Sequence, residues 1–254
     1  MQTSVTRLAF AFAIAAILAA CGGGGGSAPS VPLPTSSVPE GMWSGTTSSN
    51  RSFTGFVLDN GVFWFLYSVQ GNINDIAGAV QGTGTSLNGS FTSTNAKDFN
   101  LEGLGILDAI VSGSYVLKQS LNGNVSYPTL SQNISFVSSY DTNYDLTPSL
   151  AALAGNYTGS AVVVAGRESV TLAVTATGAI TGSGVSGCQF TGTAAPRPKG
   201  NVYDISVTFG GGVCSNGSDT VTGIGYFDAA TKRLRATALN SARTNGFIFA
   251  GFKP

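Results

Sequence analysis

Any chemistry in this chain has to be done without histidine, because its 254 residues contain none. That removes Ser-His-Asp and Cys-His nucleophilic pairs, imidazole general bases and imidazole metal ligands together. Among the carboxylates, Glu40, Glu102 and Glu168 stand outside any recognisable acid/base context. Asp141-Thr142-Asn143-Tyr144-Asp145 has the alternate-oxygen spacing of a calcium loop. Such a loop then needs Gly at its sixth place and Glu at its twelfth, where this chain has Leu146 and Ala152. A polar turn is the reading that fits. Gly22 to Gly26 precedes neither a strand–helix unit nor a lysine, which excludes a phosphate loop. Lys232-Arg233-Leu234-Arg235, with Arg243 nearby, forms a small basic cluster. Arg233 and Arg235 fall on one strand face, expected to be a solvated outer face, with lipid phosphate as the functional alternative. No catalytic residue, cofactor or metal site is expected, and the chain reads as a non-enzyme.

One stretch breaks the alternation expected of a half-buried strand. Val62-Phe63-Trp64-Phe65-Leu66-Tyr67 is apolar on both faces, with Trp64 and Leu66 pointing one way and Phe63, Phe65 and Tyr67 the other. Two partner surfaces are needed. One reading packs the second face, through Phe63 and Phe65, against another domain. The other makes Phe63, Trp64, Phe65 and Tyr67 an exposed patch that recognises a ligand, glycan or protein.

The elements that must position these residues begin with a secretory signal. A positive start (Met1, Arg7) leads into the apolar run Leu8–Ala20, shorter than the ~20 helical residues that span a bilayer core. Leu18-Ala19-Ala20-Cys21 resembles the lipobox of bacterial lipoproteins. The resemblance implies cleavage before Cys21, acylation of that cysteine with several chains such as palmitate, and attachment to a membrane. One acyl chain anchors marginally, and several satisfy the requirement for stable binding. Gly rather than Asp at position 22 implies the outer membrane of a Gram-negative bacterium, on its periplasmic or cell-surface face. With Cys21 lipidated, Cys188 and Cys214 remain as an even pair in an oxidising compartment, and a structural disulfide is expected.

The expected organisation is a signal peptide over 1–20, the lipidated cysteine and a Gly/Pro-rich tether over 21–40, a first β domain over 41–146 and a second, disulfide-bearing one over 147–254. Charged residues are 9% of the chain and the formal net charge is zero, so nothing indicates a nucleic-acid partner. Asn-Gly pairs at 60–61, 88–89, 122–123, 216–217 and 245–246 suit tight hairpin turns. Val170/Leu172/Val174, Tyr203/Ile205/Val207/Phe209 and Leu234/Ala236/Ala238 each line one face of a strand. Eight strands are expected over 155–163, 168–176, 179–185, 188–194, 201–209, 219–227, 232–239 and 245–253. Thr147-Pro148, with Gly155 beyond, marks a short helical turn between the halves, capped by Thr147. The fold class is all-β: two consecutive eight-stranded antiparallel meander barrels.

Gly41-Met42-Trp43-Ser44-Gly45 and Gly155-Asn156-Tyr157-Thr158-Gly159 share a G-x-aromatic-x-G pattern. The first is similar to the G-x-W start of lipocalins, and eight strands in about half the chain is similar to avidin. The resemblance implies calycin-like barrels. Lipobox, Gly-rich tether and Gly/Thr-rich β domain together also resemble many proteobacterial outer-membrane lipoproteins, a likeness that implies no particular activity. Two functions remain open. The first is a non-enzymatic surface lipoprotein that binds a protein or envelope component, or serves structurally. The alternative is a carrier of a small apolar ligand inside a barrel lined by residues such as Trp43, Trp64, Tyr157 and Phe209. An open cavity above roughly 300 Å³ in a barrel favours the carrier.

Overall fold

The computed structural model describes residues 37–254 apart from Val164. The signal segment, Cys21 and the tether up to residue 36 lie outside the described residues. The first half forms β1 (Gly41–Thr47), β2 (Ser52–Val57), β3 (Val62–Val69), β4 (Asn72–Thr83), β5 (Thr85–Leu87), β6 (Ser90–Asn100), β7 (Gly105–Val116), β8 (Ser120–Tyr127) and β9 (Gln132–Asp141). All pairings are antiparallel. β1 pairs with both β2 and β9, and β4 pairs with β6 through Gly78–Asn100 to Gln81–Lys97. That pairing closes eight strands into a barrel and leaves β5 as a three-residue arm on β6.

A 3-10 turn (Thr142–Asp145) and a one-turn helix, α1 (Leu150–Leu153), lead into the second half. There β10 (Gly155–Val163), β11 (Gly166–Val174), β12 (Ala179–Gly184), β13 (Gln189–Pro196), β14 (Tyr203–Phe209), β15 (Thr220–Asp228), β16 (Arg233–Leu239) and β17 (Gly246–Phe252) form a second closed barrel in sequential order. The strand ends fall within two residues of those expected from the sequence.

Each barrel begins with the same device. Trp43 and Tyr157, the aromatic residues of the repeated motif, point inward and are fully buried. Trp43 Nε1 donates to the carbonyl of Pro39, 3.1 Å away, and the Tyr157 hydroxyl donates to the carbonyl of Leu153. In both cases the acceptor lies four residues upstream, so the incoming chain is tied across the barrel's end. Val38 packs on the first core and Leu153 on the second. The α1 cap is Ser149, whose side chain accepts from Ala152 N, rather than Thr147. Ser149 is fixed from the barrel side: its N–H donates to the Tyr203 hydroxyl at 2.8 Å and its carbonyl accepts from that hydroxyl at 2.9 Å.

Four of the five Asn-Gly pairs lack the expected two-residue hairpin geometry. Among the Asn-Gly pairs only Asn88-Gly89 has both residues at positive φ (50° and 79°), the geometry of a two-residue hairpin. Asn122-Gly123 is not a turn. Gly123 lies within β8 opposite Gly113, where a side chain would overlap the Ser112 carbonyl, so glycine here serves close strand approach.

The two barrels share a third apolar cluster. Met42, Phe56, Trp64, Leu66, Ala79 and Phe99 on outward positions of the first barrel meet Val202, Ile224, Tyr226, Leu239 and Ile248 of the second. The Phe56 and Tyr226 rings are 5.6 Å apart. The two-faced strand β3 is thus explained with the faces reversed. Trp64 and Leu66 face the other barrel, while Phe63 and Phe65 lie inside their own. Register decides it: Phe63 and Phe65 sit opposite Val57 and Gly55, on the side of the sheet that carries Phe53 and Trp43. With Phe63, Trp64 and Phe65 all buried, the exposed-patch reading does not hold.

The basic cluster is corrected as well. Arg233 donates to the Asn74 carbonyl (2.9 Å) and Arg243 to the carbonyls of Gln81 (2.7 Å) and Asn95 (2.8 Å), all in the first barrel. Arg167 reaches the Ile76 carbonyl, and Arg197 pairs with Asp59 at 2.9 Å. These guanidiniums are used between the barrels and do not form a free cationic face. Arg235 is half-buried beside Tyr226 and Asp228, and burial pulls its pKa down.

Candidate functional site

The barrels differ inside. The second encloses a void of about 70 Å³ among Phe190, Phe209, Phe247, Phe249 and their neighbours. The first holds a cavity of about 430 Å³. Strand length accounts for the difference. β4, β6 and β7 run to 12, 11 and 12 residues, against at most 9 in the second barrel. At ~3.4 Å per residue, three further residues add ~10 Å of wall. In the first barrel Trp43, Phe63, Phe91, Val111 and Leu121 fill the end where the chain enters. The added height at the other end is hollow. In the second barrel the Cys188–Cys214 disulfide ties the 210–219 loop to the start of β13.

The mouth of the first-barrel cavity is formed by the β1–β2 turn (Thr47, Ser49, Arg51), the β6–β7 turn (Glu102, Leu104) and the 3-10 turn after β8 (Leu130). Leu104 and Leu130 are 57% and 43% exposed at this rim. The walls are apolar, with Phe53, Phe65 and Phe136 stacked edge-to-face or tilted at 5.6–5.8 Å, and Val80, Val125 and Ile134 beside them.

Set into these walls is a polar cluster around Asp98. A bulge between Ser93 and Ala96 resets the alternation of β6, so that Ala96, Asp98 and Asn100 share the inward side. Asp98 is only 3% exposed. Its Oδ1 accepts from the Tyr67 hydroxyl and its Oδ2 from the Tyr127 hydroxyl, each at 2.8 Å. Asn100 Nδ2 donates to the Tyr67 oxygen at 3.2 Å, while Asn100 Oδ1 accepts from the backbone N–H groups of Glu102 and Leu104. Gly78 makes room: it lies opposite Tyr67, and a methyl group there would overlap the Tyr67 hydroxyl.

Arg51 closes one side. Its guanidinium is bidentate with Glu102 at 2.6 and 3.2 Å, donates to the Ser68 carbonyl, and lies 5.6 Å from the centre of the Tyr67 ring. Among the described residues Asp98 forms no salt bridge. Burial pushes its carboxyl up to about 6, against the downward pull of the two tyrosine hydrogen bonds and of Arg51. Burial, then Asp98 itself, drives both tyrosine pKa values up, so these hydroxyls stay protonated donors.

Of the residues singled out from sequence, Phe65 and Tyr67 line this cavity, Phe63 lies deeper in the same core, and Trp64 lies outside the barrel. As cavity-lining residues for a carrier, Trp43 and Tyr157 are end plugs, and Phe209 belongs to the filled barrel. Asp141 and Asp145 are used in local hydrogen bonds and an ion pair. Asp141 Oδ1 accepts from Asn143 N, and Asp145 Oδ1 accepts from Lys118 Nζ and the Tyr140 hydroxyl. Cys188 and Cys214 form the disulfide. The Asp98 cluster was not anticipated.

No protein-family model matches the chain, and no curated protein matches it. Among solved structures, a candidate outer membrane protein of Bacteroides fragilis aligns with a TM-score of 0.26 and 14% identity, over 84% of this chain and 96% of that one. Transferrin-binding protein B of Haemophilus parasuis aligns with a TM-score of 0.29 and 11% identity, over 80% of this chain and 65% of that one. The Myxococcus xanthus hemagglutinin, solved with a mannopentaose, gives 0.17 and 14%, over 87% and 92%. At these scores none of the three carries an argument about what this chain binds.

Proposed function

We propose that this chain is a non-enzymatic envelope protein, held at the outer membrane by lipid on Cys21, that binds a small molecule inside its first barrel. The observation that supports the binding role is the cavity of about 430 Å³, open at one end and within the size range of small-molecule sites. The filled second barrel is read as a support that braces the first through the shared apolar cluster. A protein partner, the other reading of the sequence, loses its residue-level basis once the aromatic run is buried. The alternative reading, a carrier of a small apolar ligand, is thereby modified to a ligand that also carries polar groups, because Asp98, Asn100 and two tyrosines line the site.

N-phenyl-1-naphthylamine, a neutral dye that brightens in apolar surroundings, tests the binding role by fluorescence titration of the full chain. Ile134→Trp places a larger side chain into the cavity and is expected to weaken dye binding at least tenfold with the fold retained by circular dichroism. Equal binding by the variant would overturn the assignment. Cys21→Ala tests the anchor separately: the protein is expected in the soluble fraction or as unprocessed precursor, and normal membrane attachment would contradict it.

A further inference from the structure

We propose that the first-barrel cavity selects an organic cation: a primary ammonium seated near Asp98, with an apolar or aromatic body along Phe53, Phe65 and Phe136. The inference rests on the cavity being a binding site and adds the class of ligand.

Hydrogen-bond polarity and charge both favour a cation. Each tyrosine hydroxyl has one proton, and both protons are already given to Asp98. The two amide protons of Asn100 include one given to Tyr67. A carboxylate has about four acceptor positions, and the tyrosines take two. The Tyr127 oxygen has lone pairs left as well. The polar cluster therefore offers mainly acceptors, and a ligand has to bring donors. An ammonium brings three.

Charge points the same way. The charged residues lining the cavity are Arg51, Asp98 and Glu102. Arg51 and Glu102 neutralise each other in a bidentate pair, which leaves the Asp98 carboxylate as the uncompensated charge. Two neutral hydroxyls stabilise that carboxylate without cancelling it. A cation would cancel that charge. The exposed Leu104 and Leu130 extend the apolar wall to the rim, where the body of the ligand would emerge. An anionic ligand would have to displace Glu102 from Arg51 and sit beside Asp98.

Calorimetric titration of the full chain with tryptamine, tryptophol and indole-3-acetate tests this, since the three share one indole body and differ in an ammonium, a hydroxyl or a carboxylate. Tryptamine is expected to bind at least tenfold tighter than tryptophol, and indole-3-acetate weakest. In Asp98→Asn the tryptamine-to-tryptophol affinity ratio is expected to fall to about one, with circular dichroism and binding of the neutral dye showing that the cavity survives the substitution. Equal binding of tryptamine and tryptophol by the wild type, or an unchanged preference in Asp98→Asn, would overturn the cation assignment and leave the cavity as a binding site. Failure of all three probes together with the neutral dye would overturn the binding role itself.

Discussion

The two barrels start alike and end differently. Each is entered by a plugging segment, tied by an inward aromatic residue to a carbonyl four residues upstream. In the second, strands of 6–9 residues and a ring of phenylalanines leave about 70 Å³. In the first, strands of up to 12 residues leave about 430 Å³ and expose a buried carboxylate to it. The comparison teaches that strand length decides whether an eight-stranded barrel is a filled core or a container. The end plug fills a fixed depth, and anything taller is hollow unless side chains are added.

The difference can be broken first at the seam. Trp64 is 4% exposed between the barrels, and Trp64→Ala is expected to destabilise by about 3–5 kcal/mol. Small-angle scattering is expected to show a longer particle if the two barrels separate while folded. A comparable loss with unchanged dimensions would mean that the arginine bonds alone fix their arrangement. Phe63→Ala removes a similar contact inside the first barrel and is expected to impair dye binding, which Trp64→Ala is not.

A second test separates the barrels chemically. Cys188 and Cys214 close a loop with a sequence separation of 26, for which the chain-entropy model gives ~3.5 kcal/mol. The double serine variant is expected to lose about that much on denaturant unfolding of the second barrel. Binding to the first barrel is expected to be unchanged below the transition.

The smallest effect concerns Asp98. Burial raises the Asp98 carboxyl to about 6, above the ordinary aspartate value of ~3.9, so the folded chain holds this proton more tightly than the unfolded chain. The stability contribution is therefore present below pH ~3.9 and lost as pH rises through about 6, a span worth up to about 3 kcal/mol. Asp98→Asn is expected to remove that slope and to be more stable than wild type at pH 8, but not at pH 3.5. A destabilised variant at pH 8 would show that the carboxylate is structural.

Much of the second barrel was legible because each strand keeps strict alternation: Tyr203, Ile205, Val207 and Phe209 all line its interior or void. The seam was half legible. β3 announced two apolar faces, but which face turned inward depended on pairing with β2, and pairing across strands is not written in one strand's pattern. The basic cluster looked solvated because the roles of Arg233 and Arg243 appear only once the first barrel is placed against them. Asp98 was invisible for two reasons. The bulge at Ser93–Ala96 shifts the parity of β6, so the residue reads as outward. Its partners Tyr67 and Tyr127 lie 31 and 29 positions away and meet it only when β4 and β6 close the barrel. The one available signal was a pair of tyrosines at inward positions near strand ends, each needing a hydrogen-bond partner.

In this molecule one barrel binds and the other braces. Methyl-labelled NMR of the full chain during titration with N-phenyl-1-naphthylamine tests it most directly. Shifts are expected at Val80, Leu104, Leu107, Val125, Leu130 and Ile134, with Val170, Leu172, Val174 and Val207 unmoved. Shifts centred on the second set, or none in either barrel at saturating dye, would contradict this division.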